Sequence, residues 1–251
     1  MTIQSLPRSC LNVIDNYWRL KAAEGVFVRC PYFRNPQSGR EKWGLTVYGG
    51  KGSPQDIETE LRIIEKLENA DFSRMRADEI RDIMKKRKLG IECSGFIAQV
   101  LDAYTRKRCA KPLHRLINFN RTGIGWLFCK MRPYTHIDVE TLVNQGNAQE
   151  IYNIQKIIPG DLIRFNTQID HAAIITTVER DDSDLIKKIF YAHSVLEDKR
   201  EGIKNGTIDF VNPDADLLSQ KWQEEPNTGN TIDQRGVPKI YRLHILNCKN
   251  M

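Results

Sequence analysis

A cysteine stands where a turn becomes an amphipathic helix, in the segment GIECSGFI at positions 90–97. The first N–H groups of a helix have no intrahelical partner and carry the positive end of the dipole. Both features favour a thiolate, so the pKa of Cys93 is predicted to be lowered. The same N–H groups suit the oxyanion that forms when a thiolate attacks an amide. Cys93 is therefore a candidate nucleophile, although a cysteine that opens a helix is, on this segment alone, more often a buried core residue.

Two histidines follow in a part of the chain that has the texture of strands. His171 opens the apolar run HAAIITTV after the turn and strand PGDLIRF, and it follows Cys93 by 78 positions (171 − 93). His193 lies 22 positions further on (193 − 171), near the end of the next predicted strand. In an antiparallel pair with a tight turn, the end of one strand lies beside the start of its predecessor. His193 is then placed to bond the far nitrogen of His171, which predicts a nucleophile, base and orienting group.

Four segments occur in the order of four motifs of a known family. The segment ECSGFI resembles the DCSGF(V/I) motif of NlpC-type cysteine peptidases, and PGDLIRF resembles their PGDL(V/I)xF strand. HAAI is similar to their HVGI segment, and AHS is similar to their HAS segment. The likeness spans residues 90 to 194. It implies a papain-like α+β fold and hydrolysis of amide bonds in peptidoglycan stem peptides.

The resemblance also assigns roles to individual residues. Cys93 would attack the carbonyl carbon, His171 would carry the proton, and His193 would orient His171. The backbone N–H of Cys93 would contribute to the oxyanion hole. Glu92 and Ser94, which flank the nucleophile, would contact an amine of the substrate.

The sequence departs from the family pattern at several places. Glu92 stands where the family has Asp, and residues 85–92 contain no Tyr of the kind that family members carry before the Cys. The long interval before His171 predicts an insertion at about 109–150, close to the cleft. Residues 1–75 have no counterpart in the minimal family domain. We therefore predict an N-terminal accessory segment at 1–75 and a catalytic domain at 76–251.

The order of elements predicts the fold class. Helical periodicity dominates the first half of the chain and strand patterns the second, which is typical of α+β proteins. We expect N-terminal helices, with the nucleophile at a helix start, packed on a central antiparallel sheet. The glycine-rich run from Gly49 to Ser53 lacks the spacing of a phosphate-binding loop and predicts a turn into a helix capped by Ser53. Residues 213–222 are predicted to form a short helix.

Composition limits the partners and the location. The 251 residues carry a formal net charge of +6, which favours anionic surroundings without selecting one. The basic runs at 85–88 and 106–108 lack interleaved aromatics and predict no nucleic-acid partner. The first 20 residues lack a signal-peptide pattern, and the chain has no long apolar run. A cytoplasmic protein without a transmembrane segment is expected, with export by another route left open. Six cysteines without a CxxC pair predict free thiols.

Three alternatives to a peptidase stay open at this level. The domain could be an inactive module that binds peptides or the cell wall, or an amidase or acyltransferase that acts on another substrate. Cys93, His171 and His193 could instead hold a metal, although no short ligand pair anchors such a site. We predict no metal and no cofactor. The expected partner is a peptidoglycan peptide or a similar small peptide.

Overall fold

Helices in the first half of the chain pack on a sheet built from the second half. The computed structural model describes residues 1–34, 46–120, 123, 129, 131–165, 170–196, 202–213, 215–225 and 237–247. Within these residues the protein is α+β, with a large antiparallel sheet and a few helices. The predicted fold class is confirmed at this level.

Five helices are described, and their ends follow local sequence signals. They are α1 (Arg8–Trp18), α2 (Pro54–Leu67), α3 (Ala77–Lys86), α4 (Cys93–Cys109) and α5 (Val139–Val143). Ser53 caps α2 as predicted, since its hydroxyl accepts the Asp56 N–H while the Asp56 carboxylate accepts the Ser53 N–H. Helix α4 begins at Cys93, where the sequence placed a helix start. No helix in the described ranges is both long and apolar enough to cross a lipid bilayer.

Ten strands are described, eight of them in one sheet. They are β1 (Thr2–Ser5), β2 (Leu20–Ala23), β3 (Val26–Val28), β4 (Ala148–Ile151), β5 (Leu162–Phe165), β6 (His171–Arg180), β7 (Ile186–Val195), β8 (Gly202–Asp209), β9 (Lys221–Glu225) and β10 (Pro238–Leu243). The large sheet runs in the order β4-β10-β5-β6-β7-β8-β9, and β1 pairs with the second half of β6. Strands β2 and β3 form a separate hairpin.

Strand β6 divides the core into two layers because its side chains alternate. Ala172 and Ile174 lie in the layer shared with α4, whereas Ala173 and Ile175 lie in the layer on the opposite face. Since both faces are covered, the four consecutive residues from Ala172 to Ile175 are all apolar and buried. His171 occupies the first position of this strand, where the chain enters the sheet.

The N-terminal segment is built into the same core as the nucleophile helix. Strand β1 pairs with β6, and α1 packs against α4. Leu6, Tyr17 and Phe72 belong to the apolar layer that contains Phe96 of α4. The division at residue 75 between an accessory segment and a catalytic domain stays a prediction.

The predicted short helix at 213–222 is wrong. Turns lead instead into β9, where Trp222 pairs with Ile208 of β8. The Trp222 indole N–H donates to the Leu217 carbonyl at 2.7 Å, and its ring meets the Phe165 and Tyr191 rings edge-on. Burial of this large side chain against the sheet outweighs the local helical pattern.

A buried ion pair fixes the turn that leads into β5. The Arg242 guanidinium donates to both carboxylate oxygens of Asp161 at 2.8 Å, and the Ile158 N–H donates to the same carboxylate at 2.9 Å. Because Asp161 is fully buried, Asp161→Ala would leave the Arg242 charge without its partner. We expect a loss of about 3 kcal/mol of unfolding free energy, measured by denaturant unfolding. An unchanged midpoint would show that the turn holds without this pair.

Candidate active site

The Cys93 sulfur is fixed between the start of α4 and the start of β6. It accepts hydrogen bonds from the backbone N–H groups of Ser94 and Ala172, and Ala172 directly follows His171. The side chain of Cys93 is nearly buried, with 6% of its surface exposed. The nucleophile predicted from sequence therefore lies beside the mouth of the strand that carries the predicted base.

A second contact ties the segment that precedes Cys93 to the end of β7. The Ser194 hydroxyl donates to the Ile91 carbonyl at 2.7 Å, and Ser194 directly follows His193. The neighbours of both histidines thus contact the segment that presents Cys93. This explains how three distant segments of the sequence converge at one end of the sheet.

The two histidines meet as the antiparallel geometry predicted. The Nε2 atom of His171 lies 2.8 Å from Nδ1 of His193. The Phe165 ring stacks on the His171 ring with centroids 5.5 Å apart, which restricts how the imidazole rotates. His193 is fully buried, and His171 is partly exposed. The outer imidazole, of His171, is therefore the one that solvent reaches, and the imidazole of His193 lies behind it.

The pKa of Cys93 differs from the prediction. Burial of the sulfur raises the pKa of the thiol to about 11, and the neighbouring Glu92 carboxylate raises it further. The N–H groups of Ala172 and Ser94 and the Lys51 ammonium act in the opposite direction but are outweighed. The predicted lowering is wrong, because the desolvation cost of a buried thiolate exceeds what the helix start contributes. At neutral pH Cys93 is therefore a thiol.

A buried lysine contacts the two residues that flank Cys93. The Lys51 ammonium forms an ion pair with Glu92, donates to the Ser94 hydroxyl at 2.6 Å, and donates to the Ile137 carbonyl. The Ser94 hydroxyl in turn donates to Glu92 at 2.7 Å. Ile137 belongs to the predicted insertion at 109–150, which therefore reaches this cluster. The Glu92 charge is neutralised inside the protein.

Glycines allow the segment that carries Lys51 to approach α4. The Glu92 N–H donates to the Gly50 carbonyl at 3.1 Å. A Cβ at Gly95 would lie only 2.2 Å from that carbonyl oxygen, so Gly95 is required for the contact. Gly50 itself has φ +73, which favours glycine. The run from Gly49 to Ser53 therefore does more than form the predicted turn, because it also brings Lys51 to Glu92. The glycines of this run were the feature of the sequence that could have indicated such a close approach.

A tyrosine from the N-terminal segment also reaches the site. Tyr32 forms an isolated parallel bridge with Ile91, two residues before Cys93. Burial raises the pKa of the Tyr32 phenol, and the electrostatic influence of Cys93 and Glu92 raises it further. The sequence gives no sign of this residue's place in the site, because nothing in it links positions 32 and 91.

No family model, curated protein or solved structure matches this chain. In the part of the chain that the structure describes, no group of three or more His, Cys, Asp or Glu side chains is arranged to hold a metal ion. The arrangement combines a thiol at a helix start with a bonded pair of imidazoles, whose following residues, Ala172 and Ser194, contact Cys93 and the segment before it.

The charge on Glu92 should control the reactivity of Cys93. Glu92→Gln removes a carboxylate that raises the thiol pKa and leaves the Lys51 ammonium to lower it. The thiolate fraction below the pKa then rises, so alkylation of Cys93 by iodoacetamide at pH 8 should become up to about tenfold faster. Mass spectrometry of the peptide containing Cys93 measures the rate. Glu68→Gln, which alters the ion pair with Arg87, is the matched control. A slower reaction in Glu92→Gln would contradict this electrostatic assignment.

Proposed function

We propose that this protein is a cysteine hydrolase with a papain-like arrangement that cleaves amide bonds, with peptidoglycan stem peptides as its substrate class. The observation that carries the proposal is the convergence at Cys93. Its sulfur accepts the N–H of the residue after His171, and its turn accepts the hydroxyl of the residue after His193. The substrate class rests on the resemblance of residues 90–194 to NlpC-type peptidases.

The geometry supports a thiol that is activated by a base at the moment of reaction. His171 takes the Cys93 proton on Nδ1, because its Nε2 is directed at His193. The sulfur then bonds to the carbonyl carbon, and the oxygen takes up the electron pair near the N–H groups at the start of α4. As the C–N bond breaks, the imidazolium gives its proton to the leaving amine. Water, deprotonated by His171, attacks the thioester and releases the carboxylic acid and the thiol.

The cluster around Lys51 bears on substrate choice. The resemblance assigns a substrate amine to Glu92 and Ser94, but the Lys51 ammonium already bonds both side chains. A substrate amine would reach them only by displacing Lys51, at the cost of an unpaired buried charge. We therefore propose that the scissile amide, rather than a free amine next to it, is the recognised feature.

The test is incubation of the purified protein with a panel of defined muropeptides, followed by mass spectrometry of the products. The expected result is the mass increase of one water across a single amide bond. The panel includes peptides with free and with acetylated amino termini, because the Lys51 contacts predict that both are cleaved. A panel that stays intact over long incubation at several pH values would overturn the proposed substrate class.

A second candidate is a peptide-binding module without catalysis. The raised pKa and the near-complete burial of Cys93 favour it, since an activated cysteine usually has a lowered pKa and some exposure. The two functions differ in one measurement. A binding module would retain muropeptides in a calorimetric titration and leave their masses unchanged.

A further inference from the structure

We propose that Glu224 is a positioning residue that fixes the tautomers of both histidines and so leaves Nδ1 as the basic nitrogen of His171. This inference deepens the proposed function and rests on it. Glu224 lies on β9, three strands away from β6 in the sheet. Its position in the sequence therefore gives no sign that it belongs with the two histidines.

The side chains of His171, His193 and Glu224 form a line across the sheet from β6 to β9. His171 on β6 bonds His193 on β7 through Nε2 and Nδ1 at 2.8 Å. The other nitrogen of His193, Nε2, lies 3.3 Å from the Oε1 atom of Glu224. Strand β8 lies between β7 and β9, and the line crosses it at Lys204 and Gly206, which pair with His193 and Tyr191.

A carboxylate at one end of this line determines where each proton lies. An ionised carboxylate carries no proton to donate, so the ion-pair contact with Glu224 favours a proton on Nε2 of His193. Nδ1 of His193 is then an acceptor, and His171 must donate to it from Nε2. The lone pair of His171 is thereby placed on Nδ1, the nitrogen that the proposed mechanism uses as base. When His171 becomes an imidazolium, the negative charge behind His193 stabilises it.

The surroundings of Glu224 are built to hold a charge in the core. Glu224 is 3% exposed, and the Tyr191 hydroxyl donates to its Oε1 atom at 2.9 Å. The ammonium of fully buried Lys204 lies 3.7 Å from Oε2. Burying this pair is costly, and an apolar pair of similar volume would often be as stable. A role in orienting the histidines gives a reason for charged groups at these positions.

A glycine makes the contact between Tyr191 and Glu224 possible. Tyr191 on β7 extends across β8 at Gly206, where a Cβ would lie 2.1 Å from the Cζ atom of the tyrosine. Glu224 pairs with Gly206 on the far side, so the phenol reaches the carboxylate over the bare backbone of the middle strand. The contact between Tyr191 and Glu224 spans β7, β8 and β9 because β8 has no side chain at Gly206.

The test reads the tautomers directly and does not depend on a substrate. Long-range proton–nitrogen correlation spectra of the full chain, labelled with nitrogen-15, distinguish protonated from unprotonated ring nitrogens in its five histidines. His193→Asn and His171→Asn assign the signals. In the parent protein, both His171 and His193 should be protonated on Nε2. In Glu224→Gln the amide also offers donors, so we expect His193 and His171 to lose the single tautomer and populate Nδ1–H forms.

A second variant keeps the test decisive if Glu224→Gln folds poorly because Lys204 loses its partner. The double variant Glu224→Gln with Lys204→Gln removes both charges and should show the same loss of a single tautomer. Gln223→Ala, at the exposed neighbouring position on β9, is the matched control and should keep the parent spectrum. Tautomers that remain on Nε2 in either Glu224 variant would overturn the inference.

Activity provides a separate readout. If muropeptides are cleaved, Glu224→Gln should lower kcat by about tenfold or more and change KM by less than about twofold, because Glu224 is remote from the bound substrate. A lowered kcat together with lost tautomer order supports the positioning role. The parent could cleave no muropeptide while the Glu224 variants still lose the single tautomer. That result would retain this inference and reject the proposed function.

Discussion

Cys93→Ala is expected to abolish amide hydrolysis, with a loss in kcat of about 10⁴-fold or more. The physical reason is the loss of the sulfur that forms the thioester, for which no neighbouring group substitutes. Alanine removes only one atom at a helix start, so α4 and its packing on β6 should persist. Product formation from muropeptides is followed by mass spectrometry, and circular dichroism with thermal unfolding reports on the fold.

The same helix offers a matched control. Cys109 lies at the opposite end of α4, and Cys109→Ala removes an equivalent atom far along the helix from the proposed site. We expect this variant to retain the parent rate. If folded Cys93→Ala cleaved stem peptides as fast as the parent or Cys109→Ala, Cys93 would not be the nucleophile.

The parts of the site that the sequence predicted are those set by local rules. Cys93 opens a helix because the extended residue Glu92 precedes an apolar, helix-forming segment. His171 and His193 meet because a hairpin of two adjacent strands brings the end of the second beside the start of the first. Such contacts follow from one turn and one alternation pattern, and both are visible in a single sequence.

The parts that the sequence missed depend on pairings between distant segments. Lys51 reaches Glu92 across 41 positions (92 − 51) through glycine contacts that only the folded chain reveals. Glu224 reaches His193 because β9 pairs with β8, and no local pattern specifies that register. Tyr32 likewise joins the site through a bridge to Ile91. Long-range pairing of this kind depends on the shape of the whole core.

The pKa of Cys93 shows why a local argument gave the wrong sign. The helix start and its N–H groups were correctly placed, and they do lower the pKa. These groups would lower the pKa of a solvated thiol below its ordinary value. The Cys93 sulfur, however, is nearly buried and adjoins Glu92, and both effects raise the pKa. Burial depends on side chains from other segments, so its contribution was not visible in the nucleophile motif.

His171→Ala is the second change with a large expected effect, and it should differ in kind from His193→Ala. Without His171, nothing takes the thiol proton, and kcat should fall by about 10³- to 10⁴-fold at pH 7. Because the pKa of Cys93 is about 11, the residual rate should follow the thiolate fraction, which rises about tenfold for each pH unit below that value. The pH profile of kcat from pH 6 to pH 10 measures this dependence.

His193→Ala should have a smaller effect, about 10- to 100-fold in kcat, because His171 remains and loses only its orienting partner. Its pH profile should keep the shape of the parent profile, since the same base still accepts the proton. Equal losses in the two variants, with the same steep rise toward alkaline pH, would mean that His171 acts as a base only while His193 holds it. The two imidazoles would then form one functional unit, and the double variant should lose no more activity than either single variant.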